Sequence, residues 1–118
     1  MKNSKTDSAF LAVVLNFMKK YTIIISKAAK TDIEDFFHHI CDVYKQPLTA
    51  ICNRKGLYDT IKQLSVSAGS IVEIQNDFIQ SHFGANARRV NYKKMAIIFV
   101  IDGHYVFIKR VIASSLIY

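Results

Sequence analysis

Residues 95–101, Met-Ala-Ile-Ile-Phe-Val-Ile, are apolar at every position, and Asp102-Gly103 follows at once. A strand with one wet face alternates apolar and polar side chains. An unbroken apolar run therefore needs cover on both faces of its sheet and belongs at the centre of one. Asp-Gly is a strong hairpin signal because both residues tolerate positive φ. Residues 104–112 are therefore expected to return antiparallel. Upstream, residues 87–92 read as a further strand, with Lys93-Lys94 as a turn or bulge before the apolar run.

This hairpin region also holds most of the charge. Residues 86–118 contain six Lys/Arg against one acid, Asp102, and so carry five of the chain's seven net positive charges. The basic residues come in pairs, Arg88-Arg89, Lys93-Lys94 and Lys109-Arg110. They make the best candidates for a surface that meets an anionic partner. The plainer role for strand-end cations is to keep a sheet soluble and block edge pairing. Arg88 and Arg110 favour a partner contact, since planar guanidinium suits carboxylate or phosphate. A pI near 9.5 fits nucleic acid, anionic lipid or an acidic protein.

The first half of the chain reads as a strand and a helical hairpin. Residues 21–26 are β-branched and aromatic and end on Ser26. A helix follows, capped either by Ser26 or, a turn later, by the Thr31/Glu34 capping box. Its apolar stripe is Ala29, Ile33, Phe36, Phe37, Ile40 and Tyr44, and it should end near Lys45 because Pro47 disfavours helical geometry at Gln46. A second helix spans about residues 49–64, interrupted by Gly56 at a cost of about 1 kcal/mol against Ala. The short link makes an antiparallel helix pair. Residues 65–69 read as a loop, 71–74 as a short strand or extended segment, and 77–83 at most as a turn of helix. The expected fold is α+β: a helical hairpin on a mostly antiparallel, meandering sheet of three to four strands, in the order β-α-α-β-β-β.

With 118 residues and 51% hydrophobic content, a single packed domain is expected, taken as residues 20–118. Residues 1–19 read as an extension, either a short packed helix or an upstream-start artefact. The apolar run within it, residues 9–17, is shorter than the roughly 20 residues needed to cross a bilayer. Asp7 and the lack of a small-x-small site argue against a secretion signal. Cys41 and Cys52 are too few for a disulfide scaffold and match no zinc spacing, which points to a reducing, cytoplasmic setting. No metal and no cofactor are expected. His38-His39 on a helix point about 100° apart and suit a solvated face better than a shared metal. No phosphate-cradling Gly loop or catalytic triad is present.

Three segments together resemble the ParE/RelE toxin superfamily of bacterial toxin–antitoxin systems, on the ParE or "plasmid stabilisation" side. The first is residues 21–40, with Ser26, Ala29, Asp32, Ile33 and Ile40 at the matching positions. The second is Leu57, Ile61 and Leu64. The third is residues 88–112. The resemblance implies a small basic toxin neutralised by a separate antitoxin chain, with one of two targets. RelE-like members cleave mRNA on the ribosome; ParE-like members inhibit DNA gyrase.

Where RelE-like members carry an Arg at the start of the central strand, this chain has Ala96, or Lys94 if the loop is shifted. Where a second Arg stands in the tail, it has Leu116; only Tyr118 matches there. These departures favour a gyrase inhibitor that acts by protein binding, with Arg88, Arg89, Lys93, Lys94, Lys109 and Arg110 meeting the target or antitoxin. The enzymatic alternative is a ribosome-dependent mRNA endonuclease using Lys94, Arg88, Lys109 or Tyr118. A basic nucleic-acid-binding domain and a degenerate toxin are further alternatives.

Overall fold

The computed structural model describes residues 20–73 and 76–117; the expected extension over 1–19 and the position of Tyr118 lie outside them. The elements run β1 (Thr22–Ile25), α1 (Lys27–Asp42), α2 (Pro47–Ser67), a 3₁₀ turn (Ala68–Ser70), α3 (Asp77–Phe83), β2 (Arg88–Tyr92), β3 (Met95–Asp102), β4 (Tyr105–Ala113) and a second 3₁₀ turn (Ser114–Leu116). The fold is α+β, as expected. β2, β3 and β4 form an antiparallel meander. β1 joins it beside β4 and parallel to it, giving the order β1-β4-β3-β2.

β3 is central and buried on both faces, as its uninterrupted apolar sequence requires. Met95, Ile97 and Phe99 face the helical hairpin and pack with Ala29, Ile33, Leu57, Ile61 and Leu64. Ala96, Ile98 and Val100 face the other way and pack with Ile79 of α3 and Ala87, flanked by Phe78, Phe83, Phe107 and Ile112. The covering of that second face is the work of α3, read from the sequence only as a possible turn. It is a capped helix: the Asn76 side chain accepts from the Ile79 N–H at 3.0 Å.

Several boundaries differ from expectation, each for a local reason. Ser26 is the N-cap of α1, accepting from the Ala29 N–H at 3.0 Å. Glu34, free of capping, pairs with Arg54 across the helical hairpin at 3.1 Å. α1 stops at Asp42, before the expected end, and Lys45 takes a left-handed φ of 55° in the link. Pro47 is the first residue of α2, where its missing N–H costs nothing. α2 then runs on through the supposed loop to Ser67.

Gly56 is explained by packing. The Tyr92 phenol lies directly against α2 there, and a Cβ at position 56 would overlap the ring. At the β3–β4 turn, Asp102 pairs with Tyr105 as the last rung of the ladder, so the two turn residues are Gly103 and His104. Gly103 alone takes positive φ, 58°, which is the Gly-first pattern rather than the Asp-Gly one. Within the segment expected to be a short strand or extended, Glu73 forms an antiparallel bridge to Arg88; residue 74 lies outside the described residues.

Candidate partner-binding surface

The ladder between β3 and β4 shifts register between Ile98 and Phe99, which pair with Arg110 and Ile108. Lys109 is the extra residue of this bulge. β1 ends at the same level, since Ile25 is paired with Ile108. Beyond that point no strand among the described residues lies beside the outer edge of β4, and two residues of the first turns of α1 take over. The Ser26 hydroxyl donates to the Lys109 carbonyl at 2.9 Å. The Asp32 carboxylate accepts the Val111 N–H at 3.0 Å and a two-pronged bond from Arg110, at 2.7 and 2.8 Å. The Asp32 hydrogen bond holds the Arg110 guanidinium still more firmly protonated than usual.

The six predicted cations therefore do not gather into one patch. Arg110 is tied to Asp32. Arg88 donates to the Ile71 carbonyl at 2.6 Å, has Glu73 at 3.8 Å, and so pins the segment after α2 against the β2 edge. Arg89 donates to the Asn91 side chain at 2.8 Å. Lys109 projects from the bulge, with its ammonium 5.8 Å from the Phe107 ring centroid. Only Lys93 and Lys94 stand together. They form the two-residue turn between Tyr92 and Met95, which are themselves paired. Lys93 is held at φ 52°, a left-handed conformation costly for a side chain with a Cβ. The turn is buttressed by a hydrogen bond from the Ser114 N–H to the Lys94 carbonyl, 2.8 Å.

Lys93 and Lys94 rim a groove that sequence reasoning did not find. It is about 720 Å³ in volume, and its walls are Phe36, Ile40 and Tyr44 from α1 and Met95, Ala113, Ser114 and Ser115 from the sheet end. A smaller hollow of about 190 Å³ adjoins it on the other side of Phe36, lined also by Asn53 and Tyr92. The floor is apolar and the rim carries two cations with no ion-pair partner among the described residues. Such a groove suits an amphipathic segment with acidic residues along one side. The helical stripe that continues past Ile33 to Phe36, Ile40 and Tyr44 is the sequence signal for it. Its far end is not buried: Tyr44 is 61% exposed.

The positions compared with RNase members are also placed. Ala96 is fully buried between β2 and β4, facing α3. Leu116 is exposed on the last 3₁₀ turn. Among the described residues no group of three or more His, Cys, Asp or Glu could hold a metal ion, and no helix is long and apolar enough to cross a membrane. His82 stacks on Phe78 and lies 2.7 Å from its carbonyl, His39 meets the Tyr44 ring edge-on, and Cys41 and Cys52 are free thiols.

No protein-family model matches the chain, and no curated protein matches it. Among solved structures, a chain of the chromosomal ParDE TA system from P. aeruginosa is similar, with a TM-score of 0.67 and 14% identity over 80% of this chain and 97% of that one. At that identity the likeness concerns architecture: this chain has the fold of a ParDE component.

Proposed function

We propose that this protein is a ParE-like toxin, held inactive by a partner antitoxin chain, and that it acts by binding DNA gyrase. The observation that carries the toxin reading is the shared architecture with a ParDE chain over nearly all of that chain's length. The choice of gyrase over mRNA rests on Ala96, whose buried methyl group supplies no cation to a reacting phosphate. The antitoxin takes the apolar groove bordered by Lys93 and Lys94, where acidic side chains meet the two ammonium groups.

Purified protein added to gyrase is expected to stop supercoiling or to trap cleaved DNA, and its antitoxin to restore the activity. An absence of effect at stoichiometric excess rules the reading out. One observation favours mRNA cleavage instead: Lys93 and Lys94 are adjacent, have no ion-pair partner among the described residues and stand at the mouth of a groove. That reading requires codon-phased cleavage in a translation extract, lost in Lys94→Ala.

A further inference from the structure

The sheet face turned away from the helical hairpin is covered unevenly. Ile79 of α3 packs over Ala96, Ile98 and Val100 of β3. The same face continues outward over β4 and β1, where Ile24 pairs with Phe107 and Thr22 with Tyr105. Phe107 still packs against the α3 cluster. Beyond it Ile24 is 39% exposed and Tyr105 47%. The two sheet tyrosines thus differ: Tyr92 is committed against α2 at Gly56, and Tyr105 presents its ring to solvent.

Tyr105, Phe107 and Lys109 are alternate residues of β4. The two rings lie 6.0 Å apart at an angle of 38°, and the Lys109 ammonium stands 5.8 Å from the Phe107 ring centroid. A further cation follows at that end. The bond from the Ser26 hydroxyl to the Lys109 carbonyl brings the start of α1 there, and the exposed Lys27 lines a hollow with Arg110. Asp32 and Asp35 line it too, and Asp32 holds Arg110, which leaves Lys27 and Lys109 as the outward charges. At the opposite end Asp102 pairs with Tyr105 at the hairpin turn. The strip therefore runs from an acid, past two rings, to cations.

We infer that this strip binds single-stranded nucleic acid, with bases stacked on Tyr105 and Phe107 and backbone phosphates drawn to Lys109 and Lys27. Alternate residues of a strand stand about 7 Å apart, so an extended single strand can offer one base to each ring. Aromatic platforms beside a cationic track are the means by which proteins hold unpaired strands, and the stacking tolerates any base because each has a π-face. A duplex would meet the cations, but its bases are already stacked on one another and do not reach the rings. The polarity of the strip places the phosphates at the Lys109 end, since Asp102 repels them at the other. This binding is separate from the groove at Lys93 and Lys94 and does not depend on the gyrase reading.

Fluorescence anisotropy of the full chain with a labelled oligothymidylate, an oligouridylate and a duplex of the same length tests it. Binding of a single strand more tightly than the duplex is expected, and the tighter of the two single strands identifies DNA or RNA as the source. Tyr105→Ala is expected to weaken that binding about tenfold, and Tyr105→Phe, which keeps the ring, to leave it unchanged. Lys109→Ala is expected to lower the slope of log affinity against log salt by about 0.7. Both positions are exposed, and thermal unfolding of each variant checks that the fold persists. Duplex binding as tight as single-strand binding, or affinity untouched by Tyr105→Ala, overturns the inference. Binding of neither single strand also overturns it and leaves the strip to an apolar protein surface.

Discussion

Asp32 and Arg110 lie 78 residues apart and meet in a two-pronged ion pair whose carboxylate also accepts the Val111 N–H. The contact sits where β1 has run out and β4 bulges at Lys109. An edge N–H left there would have no strand partner, and Asp32 supplies the acceptor in its place. Ser26 does the same for the Lys109 carbonyl. Both residues belong to the first turns of α1, so the start of this helix completes the sheet.

The two halves of that pair are unequal, and so are the expected costs of removing them. The Asp32 side chain is 14% exposed and the Arg110 side chain 44%. Asp32→Ala leaves the Val111 N–H and a guanidinium unsatisfied and is expected to cost about 2–3 kcal/mol. Arg110→Ala leaves Asp32 bonded to Val111 and is expected to cost about 1 kcal/mol. Urea unfolding of the two variants measures the difference; equal costs would contradict it.

Gly56 offers a sign reversal. In an isolated helix Gly→Ala gains about 1 kcal/mol. Here the added methyl group meets the Tyr92 ring, and Gly56→Ala is expected to destabilise by about 1–3 kcal/mol. In a Tyr92→Leu background the obstruction is gone and the same substitution is expected to be neutral or stabilising. A four-corner cycle of unfolding free energies checks it.

Ala96 is enclosed by neighbouring strands and α3. Ala96→Arg, which restores the residue type of an RNase site, is expected to destabilise by about 3 kcal/mol or more by burying an unpaired charge. Thermal unfolding together with the cleavage assay separates the outcomes. A stable variant that gains codon-phased cleavage would mean that this position is not a core position.

At the β2–β3 turn, stability and binding should part company. Lys93→Gly relieves a left-handed φ and, set against glycine's entropy, is expected to stabilise by about 0.5 kcal/mol. Lys93→Glu with Lys94→Glu should leave unfolding nearly unchanged. It should weaken binding of the acidic partner at least tenfold and reverse the site's salt dependence, since salt then screens a repulsion in place of an attraction. Calorimetric titration at two salt concentrations reads both effects.

The strand at 95–101, the turn after it and the amphipathic α1 were legible because their signals are local: periodicity, a Gly and a capping Ser. The α1 start was ambiguous between Ser26 and Thr31, and the contact that settles it is distant, since Ser26 also bonds Lys109. The role of α3 was obscured by its seven-residue length, too short for periodicity to register. Gly56 looked like a defect because the ring that requires it comes from β2.

The candidate site was legible in composition but not in arrangement. The sequence by itself determined a central two-faced strand, an antiparallel hairpin, a helical pair and an excess of positive charge. These follow from side-chain polarity and backbone propensity along a few residues. The tertiary structure alone decided that β1 lies parallel beside β4, that Arg88 and Arg110 are committed within the fold, and that Lys93 and Lys94 are left at the mouth of an apolar groove. Whether a cation is spent inside the molecule or available outside it depends on which strand end meets which helix end. Contacts of that kind join residues far apart in the chain, and no local pattern encodes them.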